Sequence, residues 1–152
     1  MTADGLPSNA IVFIVDDDAG VRASLLMLMR SIGLDARTFD SGEAFLSAFD
    51  ANACGCVLLD VRMPGMSGLE VRQELAALDA EIPVIFLTAQ GEEEIPESIG
   101  RVERVQKPFR DDYLVRRVRE LTRPAPGGLR RAATSPMPAA RMAEASAEAS
   151  DE

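Results

Sequence analysis

Short apolar runs alternate along this chain with amphipathic stretches at helical spacing. Ile11-Val12-Phe13-Ile14-Val15 is wholly apolar and rich in β-branched residues, which predicts a first strand. Leu25, Leu28, Met29 and Ile32 then recur at helical spacing. Asp18 stands where an N-cap belongs, and Gly33 closes the helix. Asp35 to Phe39 alternates weakly and suggests a second strand. Ser41 opens a second helix, with Phe45, Leu46 and Phe49 on one face. Cys56 and the run Val57 to Leu59 read as a strand buried on both faces. Asp60 stands where that strand runs out. Pro64, Gly65 and Gly68 then force a turn, and Ser67 is placed to cap a third helix over Leu69 to Leu78. Ile82 to Leu87, broken only by Pro83, predicts a fourth strand ending at Thr88. Val102 to Gln106 predicts a fifth, ending at Lys107-Pro108. Leu114, Val115, Val118 and Leu121 mark the last helix.

Strands alternating with helices imply an α/β domain, a parallel sheet covered on both faces with right-handed crossovers. Its expected bounds are 9–123. Residues 1–8 are expected to form a flexible N-terminus. Beyond Thr122 the composition shifts to Ala, Pro, Ser and Gly without an aromatic residue, so 124–152 is expected to be a disordered tail.

Composition narrows the function. The chain has 152 residues, enough for one domain with a real core, and a formal charge of −9. Residues 1–123 carry 13 basic and 21 acidic side chains, which argues against direct binding of nucleic acid. There is no His, which removes Ser-His-Asp and Cys-His catalysis and most zinc sites. Cys54 and Cys56 fit no disulfide framework or metal spacing; Cys56 is expected inside the strand and Cys54 in a loop. Residues 1–10 lack the basic start and apolar core of a signal peptide, and no apolar run is long enough to cross a bilayer. The expected location is cytoplasmic.

The expected strand ends gather chemistry. Asp16 and Asp17 follow the first strand, Asp60 the third, Thr88 the fourth and Lys107 the fifth. In one parallel sheet these share an edge. For Asp60 taken alone, capping a turn is as good a reading. Three carboxylates together, however, repel unless a cation lies between them, and hard oxygen ligands suit Mg²⁺. A metal, a Lys and a Thr around one carboxylate make a site for phosphoryl chemistry. Lys107 is the sole Lys among 16 basic residues, which suggests that a compact ammonium is needed there. Met63 and Met66 are expected to pack the following loop against the first helix. Glu92 to Glu94 read as a solvated helix start.

The combination resembles a response-regulator receiver domain, CheY-like or flavodoxin-like in its doubly wound five-stranded sheet, over about residues 9–123. It is carried by Val15-Asp16-Asp17-Asp18, by Asp60-Val61-Arg62-Met63-Pro64-Gly65-Met66-Ser67-Gly68, by Leu87-Thr88-Ala89 and by Lys107-Pro108-Phe109. The stretch resembles above all the receivers of nitrogen-fixation-type regulators. The resemblance implies that Asp60 accepts a phosphoryl group from a sensor histidine kinase or a phosphotransfer protein, and that the domain assists its own phosphorylation and dephosphorylation. It also implies that Asp17, Asp60 and the Arg62 backbone carbonyl ligate Mg²⁺, with Asp16 acting through water. Thr88 and Lys107 would stabilise the phosphoryl group, and Pro108 would follow a cis peptide.

Two departures stand out. Only 18 residues separate Thr88 from Lys107, and Pro96 and Gly100 interrupt them, so the helix expected between the fourth and fifth strands is shortened or irregular. Arg104 occupies a switch position where the family usually has Tyr or Phe. The primary reading is a single-domain regulator. No helix-turn-helix pattern follows Leu121, so output is expected through an unknown downstream protein, or through a homodimer formed by that segment, the fifth strand and the last helix. The rival is a receiver-shaped adaptor whose binding is independent of phosphorylation. A phosphatase resembling haloacid dehalogenases would need a second Asp where Arg62 stands, which argues against an enzyme.

Overall fold

The computed structural model describes residues 9–89 and 103–122. Expectations for 1–8, for the segment between the fourth and fifth strands with Glu92 to Glu94, and for 124–152 lie outside those residues. The elements run β1 (Ile11–Val15), α1 (Ala19–Ser31), β2 (Asp35–Phe39), α2 (Gly42–Ala48), β3 (Gly55–Asp60), α3 (Gly68–Ala77), β4 (Val84–Thr88), β5 (Glu103–Gln106) and α4 (Asp111–Thr122).

The strands form one parallel sheet in the order β2-β1-β3-β4-β5. The chain leaves β1 toward β2 on one side and crosses back to β3 on the other. The switch point therefore lies between β1 and β3, where sheets of this kind hold their ligands. All six residues of β3 are buried, as its unbroken apolar run predicts.

The pleat sends alternate side chains into two cores. Val12, Ile14, Cys56, Leu58, Ile85, Leu87 and Val105 meet Leu25 and Met29 of α1 and Leu114 and Val118 of α4. Phe13, Val15, Val57, Leu59, Val84 and Phe86 meet Phe45 of α2 and Val71 and Leu75 of α3. Phe13, Phe39, Phe45 and Phe49 interlock in the second core, with ring centroids 5.2 to 5.7 Å apart.

Met63 and Met66 correct one expectation. They belong to the second core, beside α2 and α3, and not against α1. The β3–α3 loop leaves the sheet on the face opposite α1. Cys56 is buried and Cys54 half-buried, both as free thiols. The fourth strand starts two residues later than its apolar run because Pro83 has no N–H for the ladder; its carbonyl instead accepts from Val57 N–H at 2.9 Å.

The caps follow the sequence. Asp18 accepts the N–H groups of Gly20 and Val21 at the start of α1. Ser67 and Glu70 form a reciprocal capping box on α3. The last helix reaches one residue beyond its apolar marks, and Thr122 is buried at its end.

Candidate phosphoryl-transfer site

Asp16, Asp17, Asp60, Thr88 and Lys107 all lie along the C-terminal edge of the sheet. Carboxylate oxygens of Asp16, Asp17 and Asp60 come within 4.8 Å of one another. Asp60 is the last residue of β3 and Asp16 the first beyond β1, so the switch point itself makes the cluster.

Asp16 is fully buried and tightly held. Its N–H donates to the Phe39 carbonyl at 3.1 Å, its Oδ1 accepts the Asp18 N–H at 2.9 Å, and its Oδ2 takes Lys107 Nζ at 3.1 Å. Asp17 is exposed and makes no hydrogen bond or ion pair among the described residues. Asp60 is buried apart from a small opening. Its Oδ1 accepts the Arg62 N–H at 3.3 Å and lies 3.8 Å from Lys107 Nζ. No hydrogen bond among the described residues occupies its Oδ2.

Burial, and next the neighbouring Asp16 charge, push the Asp60 carboxyl up to about 7; Lys107 and the Arg62 N–H oppose this only in part. A divalent cation would reverse the balance. Three converging carboxylates with one surplus repulsion are the donor set a hard cation such as Mg²⁺ fits.

Thr88 ends β4 one residue beyond Leu87, the register partner of Asp60. Its carbonyl accepts the Lys107 N–H at 2.6 Å, which ties β5's exit to the pocket. The Lys107–Pro108 peptide is cis. Arg104 sits in β5 opposite Phe86 in register; it is exposed and lies apart from the acid cluster.

Two contributors escaped the sequence reading. Arg22 donates from Nη1 to the Asp16 carbonyl at 2.8 Å. It stands one helical turn beyond the Asp18 cap, a spacing from which a long side chain reaches back over the strand end. Glu43, in the first turn of α2, accepts the Met66 N–H at 3.3 Å and so touches the loop after Asp60. Nothing in the local pattern marks that contact, which spans 23 positions.

The family model for the response regulator receiver domain matches residues 12–119. The chain belongs to that family. It is 43% identical over 123 residues to the response regulator protein TmoT of Ectopseudomonas mendocina, covering 78% of this chain and 55% of TmoT. It is 34% identical over 140 residues to the transcriptional regulatory protein FixJ of Bradyrhizobium diazoefficiens, covering 89% of this chain and 67% of FixJ. The structure of response regulator StyR superposes with a TM-score of 0.71 at 37% identity, covering 76% of this chain and 60% of StyR. The chain thus spans about half the length of TmoT. A phosphorylated aspartate and Mg²⁺ at an acidic pocket are typical of the family.

Proposed function

We propose that Asp60 is the phosphoacceptor of a two-component relay and that a sensor histidine kinase, or a phosphotransfer protein, is its donor. One observation carries the reading: the Asp60 carboxylate ends β3 at the sheet's switch point with two further acids and the chain's sole Lys around it. An Asp60 oxygen bonds to phosphorus while the P–N bond of the donor's phosphohistidine breaks and its electron pair returns to the imidazole. Lys107 Nζ balances charge on the phosphoryl oxygens, and the Thr88 hydroxyl donates to one of them. Asp17, Asp60 and the Arg62 carbonyl would hold Mg²⁺, and Asp16 would act on it through water. Mg²⁺, when bound, supplies further positive charge to the transferred group. The same groups assist hydrolysis of the aspartyl phosphate. The protein acts in the cytoplasm through a downstream protein partner or a homodimer that includes β5 and α4.

The test is intact mass after incubation with acetyl phosphate and Mg²⁺. Wild type gains one phosphate and Asp60→Asn gains none; full labelling of that variant overturns the assignment.

Arg104 favours a second reading, the phosphorylation-independent adaptor. It is exposed, has no ion pair among the described residues, and replaces an aromatic side chain of the usual switch. A guanidinium resists burial without an acidic partner. Hydrogen exchange with and without beryllofluoride separates the readings: equal protection of β5 in both states favours the adaptor, and a change favours the switch.

A further inference from the structure

Of the three clustered acids, Asp17 alone is untethered. Asp16 is fixed by the Phe39 carbonyl, the Asp18 N–H and Lys107, and Asp60 by the Arg62 N–H. Asp17 is exposed, and its side chain has no hydrogen bond or ion pair among the described residues. Its backbone is held on both sides, by the peptide to Asp18, whose N–H donates to Asp16 Oδ1 at 2.9 Å, and by the peptide that joins it to Asp16. The carbonyl of that peptide is the one Arg22 Nη1 holds at 2.8 Å. Arg22 is itself half-buried on the first turn of α1, whose start is pinned by the Asp18 cap. The guanidinium therefore reaches from a fixed helix to a single backbone oxygen. Rotation of the Asp16–Asp17 peptide would break that bond and swing the Asp17 carboxylate.

We infer that Arg22 is a positioning residue for the cation pocket: by holding the Asp16 carbonyl it aims Asp17 at the site shared with Asp16 and Asp60. The inference rests on the reading of the acid cluster as a Mg²⁺ site. A group that orients a ligand from behind typically controls metal affinity by tenfold or more when removed. A residue that merely tied α1 to the sheet would alter stability and leave Mg²⁺ affinity alone.

Calorimetric titration of the full chain with MgCl₂ separates the two roles, with thermal melting in chelator as the control for folding. Arg22→Met should bind Mg²⁺ about tenfold more weakly than wild type. Arg22→Lys, whose single ammonium still donates but lacks the planar fork, should fall between them. Wild-type affinity in Arg22→Met overturns the inference, whatever the melting temperature. If Arg22→Met does not fold, Arg22→Lys decides: weaker binding supports the role and unchanged binding overturns it. A wild-type chain that binds no Mg²⁺ overturns the metal reading, and the role of Arg22 with it.

Discussion

Two opposed influences meet on the Asp60 carboxyl. Burial and the Asp16 charge raise it from the ordinary value of 3.8 to about 7, against Lys107 and the Arg62 N–H. Between those two values the metal-free fold holds a proton that the unfolded chain releases. Stability from that proton is fully present below the unfolded value and is lost as pH rises through about 7. Asp60→Asn behaves as a permanently neutral Asp60. In chelator it should melt above wild type at pH 8, and the gap should narrow by pH 5. A gap independent of pH would show that Asp60 ionises normally in the fold. Asp17 adds to the same repulsion. Asp17→Asn should therefore raise the melting temperature in chelator and lose the further rise that wild type shows with Mg²⁺. An unchanged Mg²⁺ response in this variant would remove Asp17 from the metal site.

Among the elements, β3 and α3 show what a sequence discloses and what it hides. The apolar run, the turn and the Ser67 cap were all legible, because each depends on neighbours within a few positions. Ser67→Ala removes one half of the capping box and should cost about 1 kcal/mol, read from urea unfolding. The strand's beginning was not legible in the same way. Gly55 has φ +136°, and a Cβ there would stand 1.9 Å from the Ile11 carbonyl oxygen. That neighbour lies on β1, so no local pattern announces it. Gly55→Ala should prevent native folding, seen as loss of the cooperative melt; a folded variant would mean that β1 and β3 can part. Met63 and Met66 were misplaced for the same reason. Their burial followed from composition, but which sheet face received them depended on the path of the loop. The positions of Asp16, Asp17, Asp60, Thr88 and Lys107 were legible because parallel strands put all their C-terminal ends on one edge. The grip of Arg22 on the Asp16 carbonyl was not, since a side chain's reach to a backbone oxygen has no periodicity.

On the scale of the whole molecule, the described helices cover both faces of the sheet, and α4 closes the face it shares with α1. Leu114, Val118 and Thr122 recur every four residues along its buried side, so the helix is seated to its last turn. Arg117 adds an ion pair to Glu103 of β5 at 2.7 Å and a second contact to Glu120. The pair to Glu103 is half-buried and bridges the helix to the edge strand, so it fixes where α4 lies more than how stable the domain is. These contacts set a boundary for the fold: it should need Thr122 and nothing beyond the next residue or two. The composition of 124–152 points the same way, with no aromatic residue and Pro124, Pro126, Gly127 and Gly128 at its start. A chain ending at 123 should therefore melt within a few degrees of the full chain and keep its rise with Mg²⁺. A chain ending at 117 loses Val118 and Thr122 from the core and should melt much lower, since burial of one Val side chain alone stabilises by about 1.5–3 kcal/mol. If the first truncation destabilises as strongly as the second, residues 124–152 pack on the domain and the boundary at 123 is wrong.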